Sequence, residues 1–424
     1  MPWTTRTDSA VDEEQSGSMT SHAPRRSRPG ATSALAAGSI VSGLLAYLFF
    51  ALVTRGLGAE PAAPVSVLWS YWGFTAAGVT FPVQHWIARS VAADGGEGAV
   101  NSALPRVAVL IAGAALTAGL LAWLLREPLF RDGSATFPLL VVAVTLCSAE
   151  MGLVRGVLAS RGRYAAVGGV LVAENLVRCL VAQALLSAGV TDPAAYGAAL
   201  LAGYAALLAW PTAWRVGAGT DEARTSVAFL RGAAAGQVVG QAVLTGGPVL
   251  LALAGGSPRD VTALFAGLAL FRAPYTLMVG QVSALTSRVT DLVVAERHRE
   301  LRRVHAIVLV GTVAGAVVGA GVGALAGPPL LRLVFGADAS LDAGTSALVA
   351  VGTVFAMAGL VLTVVVMAHD RTRQIALAWL LALIPGAVVF LLVDGELLRV
   401  VVAFVVIEVA AWSGLLVAAR PIRA

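Results

Sequence analysis

The stretch Val261–Arg303, VTALFAGLALFRAPYTLMVGQVSALTSRVTDLVVAERHRELRR, decides the fold that this sequence predicts. Its first part is an apolar run of roughly 25 residues, which is long enough to cross a hydrocarbon core about 30 Å thick. Its second part carries a cluster of arginines, and such clusters stay on the cytoplasmic side of a membrane. The cluster consists of Arg288, Arg297, Arg299, Arg302 and Arg303. We therefore predict a membrane-spanning helix that enters from outside and ends at the cytoplasmic face.

The composition of the whole chain is that of a membrane protein with many spans. Of its 424 residues, 58% are hydrophobic and only 12% are charged, whereas soluble domains carry about 25% charged residues. A single water-soluble core is therefore excluded. Every basic residue is an arginine. The positive net charge requires no nucleic-acid partner, because the position of the arginines relative to the membrane accounts for it.

Apolar segments alternate with short polar connections along the chain, which predicts an all-α fold of about twelve transmembrane helices. The polar residues 1–30 cannot form a core and are predicted to be a disordered cytoplasmic tail. The pattern of Gly327-Pro328-Pro329 predicts a break at the end of the ninth span. The predicted spans are residues 34–54, 63–87, 105–125, 136–157, 165–187, 195–215, 228–253, 261–286, 305–327, 344–368, 373–393 and 398–419.

The arginines test this arrangement independently. With the N-terminus inside, 21 of the 29 arginines fall on the cytoplasmic side and six on the outside. This bias is the one that sets the orientation of membrane proteins. It predicts a multi-pass protein of the cell membrane with both termini in the cytoplasm.

The twelve predicted spans divide into two similar halves. The polar loop Arg215–Arg231 separates an N-terminal six-helix lobe, residues 31–217, from a C-terminal six-helix lobe, residues 218–424. Because each half has an even number of spans, both halves have the same orientation in the membrane. Transporters built from such parallel repeats bind their substrate between the halves near the midplane.

The sequence contains no pattern that predicts catalysis. Neither an HExxH nor a GxSxG motif occurs in its required structural context, and the glycine-rich stretches are explained by close helix packing. The five histidines show no metal-ligand spacing within a span, and the two cysteines lie in apolar runs. We predict neither an enzyme nor a metal or cofactor site. His85, near the end of the second span, is either a proton site or an interfacial residue that makes one hydrogen bond.

Arg272 is the first candidate site residue, because it lies near the middle of the eighth span, two residues before Pro274. An arginine at the centre of a membrane helix costs at least about 2.5–3.5 kcal/mol. A helix that keeps such a residue directs it towards a partner, a water-filled cavity or an anionic ligand. An ion pair within the bundle, or snorkelling, is the alternative. Proline removes a backbone donor, so we also expect a bend here.

Other polar residues inside the spans are candidates for the same site. Glu174 and Arg178 are four residues apart and share one helix face; they form either a self-neutralising pair or part of a cavity. If the halves face each other, the polar residues of spans four, five, seven and eight line one central cavity. Its arginines suit a substrate with phosphate or acidic sugar groups. The remaining candidates for substrate binding are Gln237, Gln241, Gln281 and Glu150.

Five short segments carry a resemblance to a known family. They are Leu52-Val53-Thr54-Arg55-Gly56-Leu57-Gly58, Ile87-Ala88-Arg89, Arg155-Gly156, Arg161-Gly162-Arg163-Tyr164 and Phe271-Arg272-Ala273-Pro274. In this order the chain after residue 30 resembles the polysaccharide-type flippases of the multidrug/oligosaccharidyl-lipid/polysaccharide exporter superfamily. The resemblance implies two six-helix lobes around a central V-shaped cavity, in which Arg272 would take the place of a cavity arginine.

The resemblance also implies a function and partners. A polyprenyl-linked saccharide, or a polysaccharide precursor, would cross the cytoplasmic membrane by alternating access. Membrane lipids, an anionic lipid-linked saccharide, and a glycan polymerase or glycosyltransferases would then be its partners. Three alternatives stay open: a multidrug antiporter of the same fold, a membrane-embedded glycosyltransferase, and a scaffold for envelope assembly.

Overall fold

A computed structural model of the chain describes residues 29–94, 97–217, 239–279, 295–369 and 371–420, together with Val289, Leu292 and Val293. The described residues are almost entirely helical and include no β-strand. Most of the predicted N-terminal tail lies outside this part, although its last residues, Pro29 and Gly30, already belong to the first helix.

The first lobe, residues 29–217, contains eight helices and three shorter helical segments. A π-helical turn, Ala76–Thr80, joins α2 to α3, and the 3₁₀ segments Gly203–Ala209 and Pro211–Ala213 continue α8. The helices are α1 (Pro29–Leu57), α2 (Ala63–Thr75), α3 (Phe81–Asp94), α4 (Gly98–Leu124), α5 (Arg126–Phe130), α6 (Thr136–Ser160), α7 (Tyr164–Ser187) and α8 (Pro193–Ala202).

The second lobe, the described residues from 239 to 420, contains a further eight helices. They are α9 (239–245), α10 (Gly247–Leu253), α11 (Pro258–Phe271), α12 (Ala273–Val279), α13 (His298–Phe335), α14 (Ala343–Ala368), α15 (Thr372–Leu392) and α16 (Glu396–Ala418). The boundary predicted between residues 217 and 218 stays a prediction, because residues 218–238 lie outside the described part.

The described helices correspond to the twelve predicted spans. Eight of them are long and apolar enough to cross a membrane as single helices: α1, α4, α6, α7, α13, α14, α15 and α16. The other four spans correspond to helices that are interrupted or only partly described. These are the pairs α2–α3, α9–α10 and α11–α12, and α8 with its 3₁₀ continuation.

The predicted break at Gly327-Pro328-Pro329 is wrong. Helix α13 passes through both prolines and ends only before Gly336, whose φ of 98° favours glycine. The packing of α13 on α14 explains why the helix continues. A Cβ atom added to Gly323 would lie 2.7 Å from the carbonyl oxygen of Ser346, and one added to Gly327 would lie 2.8 Å from the Ser346 side chain. This close contact stabilises the helix despite the two missing backbone donors.

Each lobe has its own pattern of helix packing. In the first lobe α1 lies along α7, while α3 and α4 pack on α6. In the second lobe α13 lies along α14, and α16 packs on both α14 and α15. The main contacts between the lobes are made by α1, α2 and α5 with α10 to α13.

The buried apolar residues of the described part form three clusters. One cluster is shared by both lobes and includes Phe50, Trp69, Phe265 and Phe335. The second belongs to the first lobe alone, and the third to the second lobe alone. Within the described residues the lobes thus share a core at one end, which we call the joined end, and have separate cores at the other, the separated end.

Aromatic rings and arginines hold the joined end together. The ring of Phe50 lies 4.4 Å from that of Phe265 and 5.6 Å from that of Phe335, between centroids. Arg55 donates a hydrogen bond of 3.1 Å to the carbonyl oxygen of Leu333, and Arg131 one of 2.8 Å to that of Gly256. Because Arg55 and Arg131 are predicted to be external, the separated end is the one predicted to face the cytoplasm.

Candidate functional site

Arg272 lies at the interruption between α11 and α12. Helix α11 ends at Phe271, and α12 begins at Ala273. Pro274 has no N–H group to donate to the carbonyl oxygen four residues earlier, so the regular hydrogen-bond ladder fails here. The interruption expected from the sequence at Arg272 and Pro274 is confirmed. The backbone remains connected across it, since the Arg272 N–H donates to the Leu268 carbonyl at 3.1 Å.

The surroundings of Arg272 place it at the contact between the two lobes. Tyr47, on α1 of the first lobe, donates a hydrogen bond of 2.7 Å to the carbonyl oxygen of Ala269. The side chains of Tyr47 and Tyr275 both interact electrostatically with the Arg272 guanidinium. Arg272 itself is half-buried. Among the described residues it forms no ion pair with an acidic side chain. Its positive charge is therefore not neutralised by a carboxylate of the described part.

Glu174 and Arg178 form a buried ion pair inside the first lobe. Both side chains are almost completely buried, and the Arg178 guanidinium donates a hydrogen bond to the Glu174 carboxylate. Arg178 also donates to the carbonyl oxygen of Leu200 at 2.9 Å. Its guanidinium lies 4.8 Å from the centre of the Trp72 ring and 5.4 Å from that of Tyr204. The contacts satisfy the arginine within its own lobe and do not bring it against Arg272.

Neighbouring residues pack closely against this pair. Gly203 faces Arg178, and a Cβ atom at that position would lie 2.6 Å from the Arg178 Nε atom. Asn175 donates a hydrogen bond of 2.9 Å to Ser42 on α1 and accepts one from Arg178 at 3.3 Å. The pair thus connects α1, α7 and α8. A structural role agrees with these contacts, while a role in substrate binding stays a prediction.

The other predicted site residues are dispersed. Gln241 is half-buried and faces α2 across the contact between the lobes, with its amide nitrogen 3.5 Å from the position that a Cβ atom on Gly73 would take. Glu150 is exposed and shares its face of α6 with the exposed Leu139 and Leu146. Gln237 and Gln281 lie outside the described residues. Of the seven candidates, only Arg272 and Gln241 are therefore seen at the contact between the lobes.

Two further charged residues, which were not among the predicted site residues, have buried polar atoms. Arg155, which belongs to one of the segments that resemble the flippases, has a buried Nε atom without a hydrogen-bond partner among the described residues. Glu408 on α16 is fully buried, and its Oε1 atom is likewise unpaired within the described part. Hydropathy did not identify Arg155 because it lies near a span end. Arg155 lies seven residues after Ser148, so both residues are on the buried face of α6. This spacing could have identified Arg155 from the sequence.

No group of three or more histidine, cysteine, aspartate or glutamate side chains within the described residues is placed to hold a metal ion. The polar groups that the structure brings towards the contact between the lobes are a guanidinium, an amide and phenols. Such groups donate hydrogen bonds, and a guanidinium pairs with carboxylates and phosphates.

The comparison with known proteins identifies the fold. No protein-family model and no curated protein matches the sequence. Solved structures do match. A multidrug resistance MATE family transporter of the MOP superfamily in its inward-facing conformation has a TM-score of 0.62 at 16% identity, covering 89% of this chain and 93% of that one.

Two further structures agree with this match. The outward-facing conformation of a MATE family transporter has a TM-score of 0.59 at 16% identity, covering 92% of this chain and 94% of that one. A eukaryotic MATE transporter has a TM-score of 0.57 at 15% identity, covering 91% and 94%. The predicted all-α membrane fold, with about twelve helices in two lobes, is thus confirmed. This chain has the fold of the MATE family transporters.

Proposed function

We propose that this protein is a transporter of the cell membrane that moves an anionic, lipid-linked saccharide from one side to the other by alternating access. The cleft between the lobes would open alternately at the joined and the separated end. The fold supports this mechanism, because similar MATE structures have been described in inward-facing and outward-facing conformations. In this proposal the protein performs no chemical step, and both of its termini lie in the cytoplasm.

The observation that carries the choice of substrate is the charge of Arg272 at the contact between the lobes, which no carboxylate of the described residues neutralises. A charge in this position is costly unless it has a function or a partner. The helix is interrupted at the same level, and transporters whose binding sites use broken helices have interruptions near the midplane as well. A guanidinium binds two phosphate oxygens at once. The diphosphate of a polyprenyl carrier would fit this chemistry. A glycan polymerase or glycosyltransferases would then supply or consume the substrate.

A multidrug transporter is the second candidate function. The matching solved structures include multidrug resistance transporters. A cationic drug, however, requires an accessible carboxylate. Within the described first lobe, the carboxylate of Glu174 is already paired with Arg178. The unpaired carboxyl of Glu408 is fully buried on α16. The half-buried guanidinium of Arg272 is therefore the charge that a substrate would meet at the contact between the lobes, and it favours an anion.

Transport by purified protein in liposomes distinguishes these functions. The substrate is a fluorescent polyprenyl diphosphate disaccharide, whose outer-leaflet fraction is measured by quenching with dithionite. Arg272→Ala should reduce its translocation at least about tenfold, since a charged hydrogen bond contributes roughly 1.5–3 kcal/mol. Arg272→Lys should recover only part of the rate, because an ammonium group cannot reproduce the guanidinium fork.

Arg106→Ala is the matched control, because Arg106 is an exposed arginine on α4. It should translocate the saccharide at the wild-type rate. Full translocation by the Arg272→Ala protein would contradict the proposed site. Export of ethidium by wild-type protein that does not move the saccharide would favour the multidrug function instead.

A further inference from the structure

Arg155 combines a buried Nε atom with a guanidinium that forms no ion pair among the described residues. It lies on α6, and its side chain is half-buried. Its Nε atom is buried without a hydrogen-bond partner, and the guanidinium forms no ion pair with any described residue. A buried donor of a charged group that remains unsatisfied costs more than an ordinary lost hydrogen bond. A position of this kind is therefore expected to receive a ligand or to serve a special purpose.

The residues around Arg155 leave its charge unneutralised. The guanidinium carbon lies 5.3 Å from the centre of the Phe81 ring, a distance at which a cation is attracted to the ring face. Arg155 also interacts electrostatically with Glu174 and with His85. The Glu174 carboxylate is bonded to Arg178 and so is already shared. The other described groups that interact with Arg155 are the Phe81 ring and the His85 imidazole. Both groups can lie next to a bound anion.

The face of α3 that carries Phe81 and His85 continues the face of α2 that contacts the second lobe. Gly73 on α2 lies against Gln241 and Thr245 of α9. In a regular α-helix Phe81 would be rotated by about 80° from Gly73. The π-helical turn Ala76–Thr80 adds one residue to the helix and so reduces the rotation between Gly73 and Phe81 by about 100°. Phe81 therefore falls within about 20° of Gly73, on the side of the second lobe.

His85 follows Phe81 by one helical turn and is exposed. Both residues belong to the part of the first lobe whose core is separate from that of the second lobe. This side of α3 is therefore directed towards the second lobe at the separated end. Arg155 reaches it from the interior of the first lobe, beside the Phe81 ring.

We propose that Arg155, together with Phe81 and His85, forms an anion subsite of the first lobe that binds a phosphate group of an amphipathic substrate. The inference rests on the proposed function and adds a site in the lobe opposite to Arg272. The guanidinium would donate two hydrogen bonds to the phosphate oxygens, Phe81 would hold the guanidinium plane in place, and His85 would face the remaining oxygens. The same phosphate chemistry occurs in a lipid-linked carrier and in free phosphate.

Binding to the full-length protein in neutral detergent micelles tests the subsite. Isothermal titration calorimetry is carried out with farnesyl diphosphate, inorganic pyrophosphate and farnesol as separate probes. A lipid-linked substrate predicts binding of farnesyl diphosphate that is stronger than that of either other probe. Equal binding of pyrophosphate would identify a site for free phosphate. Failure of the wild-type protein to bind either phosphate-containing probe would overturn the subsite.

The variants locate the subsite. Arg155→Gln should weaken farnesyl diphosphate binding by about tenfold or more, and Arg155→Lys by a smaller factor. Phe81→Leu retains an apolar side chain but removes the ring face, and should also weaken binding. Arg106→Gln serves as the control and should bind as the wild type does. Arg155→Gln removes a buried charged group and could prevent folding. In that case the binding of Arg155→Lys and Phe81→Leu decides the test.

The result for Arg272 separates this inference from the proposed function. If Arg272→Gln loses binding while Arg155→Lys and Phe81→Leu bind normally, the subsite in the first lobe is wrong and the function proposed for Arg272 stands. If the binding of farnesyl diphosphate depends on Arg155 and not on Arg272, the subsite is supported and the role proposed for Arg272 is wrong.

Discussion

The Tyr47 hydroxyl donates a hydrogen bond of 2.7 Å to the main-chain carbonyl oxygen of Ala269, and this bond connects the two lobes three residues before Arg272. Two other side-chain hydrogen bonds between described residues of the two lobes, from Arg55 and Arg131, lie at the joined end itself. Tyr47 lies eight residues before Arg55 on α1, about 12 Å deeper at 1.5 Å per residue. Tyr47 therefore lies at the level where the joined end meets the cleft between the lobes.

Tyr47→Phe should shift the protein away from this conformation. The substitution removes one hydrogen bond and keeps the ring. A net contribution of about 0.5–1.5 kcal/mol corresponds to a change of roughly 2- to 13-fold in the equilibrium between conformations. The measurement is the yield of cross-linking between cysteines introduced at Arg55 and Leu333, whose contact belongs to the joined end.

Tyr164→Phe is the control for this experiment, because Tyr164 begins α7 and is not in contact with the second lobe through any hydrogen bond of the described part. It should leave the cross-linking yield unchanged. Equal yields from Tyr47→Phe and wild-type protein would show that the bond to Ala269 does not bias the conformation.

The buried pair in the first lobe leads to a prediction about stability. Arg178→Leu leaves the Glu174 carboxylate buried without its partner, and breaking such a pair costs about 3–5 kcal/mol. The double variant Glu174→Leu with Arg178→Leu removes both charges and should recover much of the loss. We expect the single variant to show the lower melting temperature and the lower yield of monodisperse protein in detergent. A double variant less stable than the single one would contradict the assignment as a self-contained pair.

The fold could be predicted further from the sequence than the site. Hydropathy and the positions of the arginines are local signals, and they suffice to identify the twelve helical segments. The spacing of Glu174 and Arg178 likewise predicted that they share a face. The sequence did not reveal that Leu200 and Trp72 satisfy Arg178, because these contacts join helices that are distant in the chain. For the same reason, the contact of Tyr47 with Ala269 was not predicted. Arg155 was not predicted as a site residue because it lies near a span end. In α13 a local signal gave the wrong prediction. Pro328 and Pro329 predicted a helix end, but the close packing of α13 against Ser346 keeps the helix intact.

The end of the first lobe that is predicted to face the cytoplasm contains a contact that should depend on pH. Arg161 donates two hydrogen bonds to the Glu97 carboxylate, at 2.7 and 2.8 Å, and Gly217 donates a third, at 2.6 Å. Arg161 also donates to the carbonyl oxygens of Thr212 and Arg215. The pair thus fixes the chain just before the connection to the second lobe. The hydrogen bonds from Arg161 hold the pKa of the Glu97 carboxyl below its ordinary value.

The sign of the pH effect follows from the lowered pKa. A carboxyl whose pKa is lower in the folded protein stabilises it fully above the ordinary pKa of about 4.3 and loses this effect as the pH falls through the folded value. Hydrogen exchange of residues 212–217 should therefore accelerate as the pH is lowered below about 4, after correction for intrinsic rates. Glu97→Gln should show faster exchange at pH 7 and no such acceleration. An identical pH profile for both proteins would exclude Glu97 as the titrating group.

Orientation in the membrane provides the last prediction. Exposed arginines lie just before α13 and in its first turns, and Ala295 lies beside them; they are Arg297, Arg299, Arg302 and Arg303. Ala337, at the other end of α13, is exposed close to Arg332. The bias of arginines predicts that Ala295 is cytoplasmic and Ala337 external. In intact cells an impermeant maleimide should label Ala337→Cys and not Ala295→Cys, in a background that lacks Cys147 and Cys179. After the cells are permeabilised, both should react. Labelling of Ala295→Cys in intact cells would invert the predicted topology, and the separated end would then face outwards.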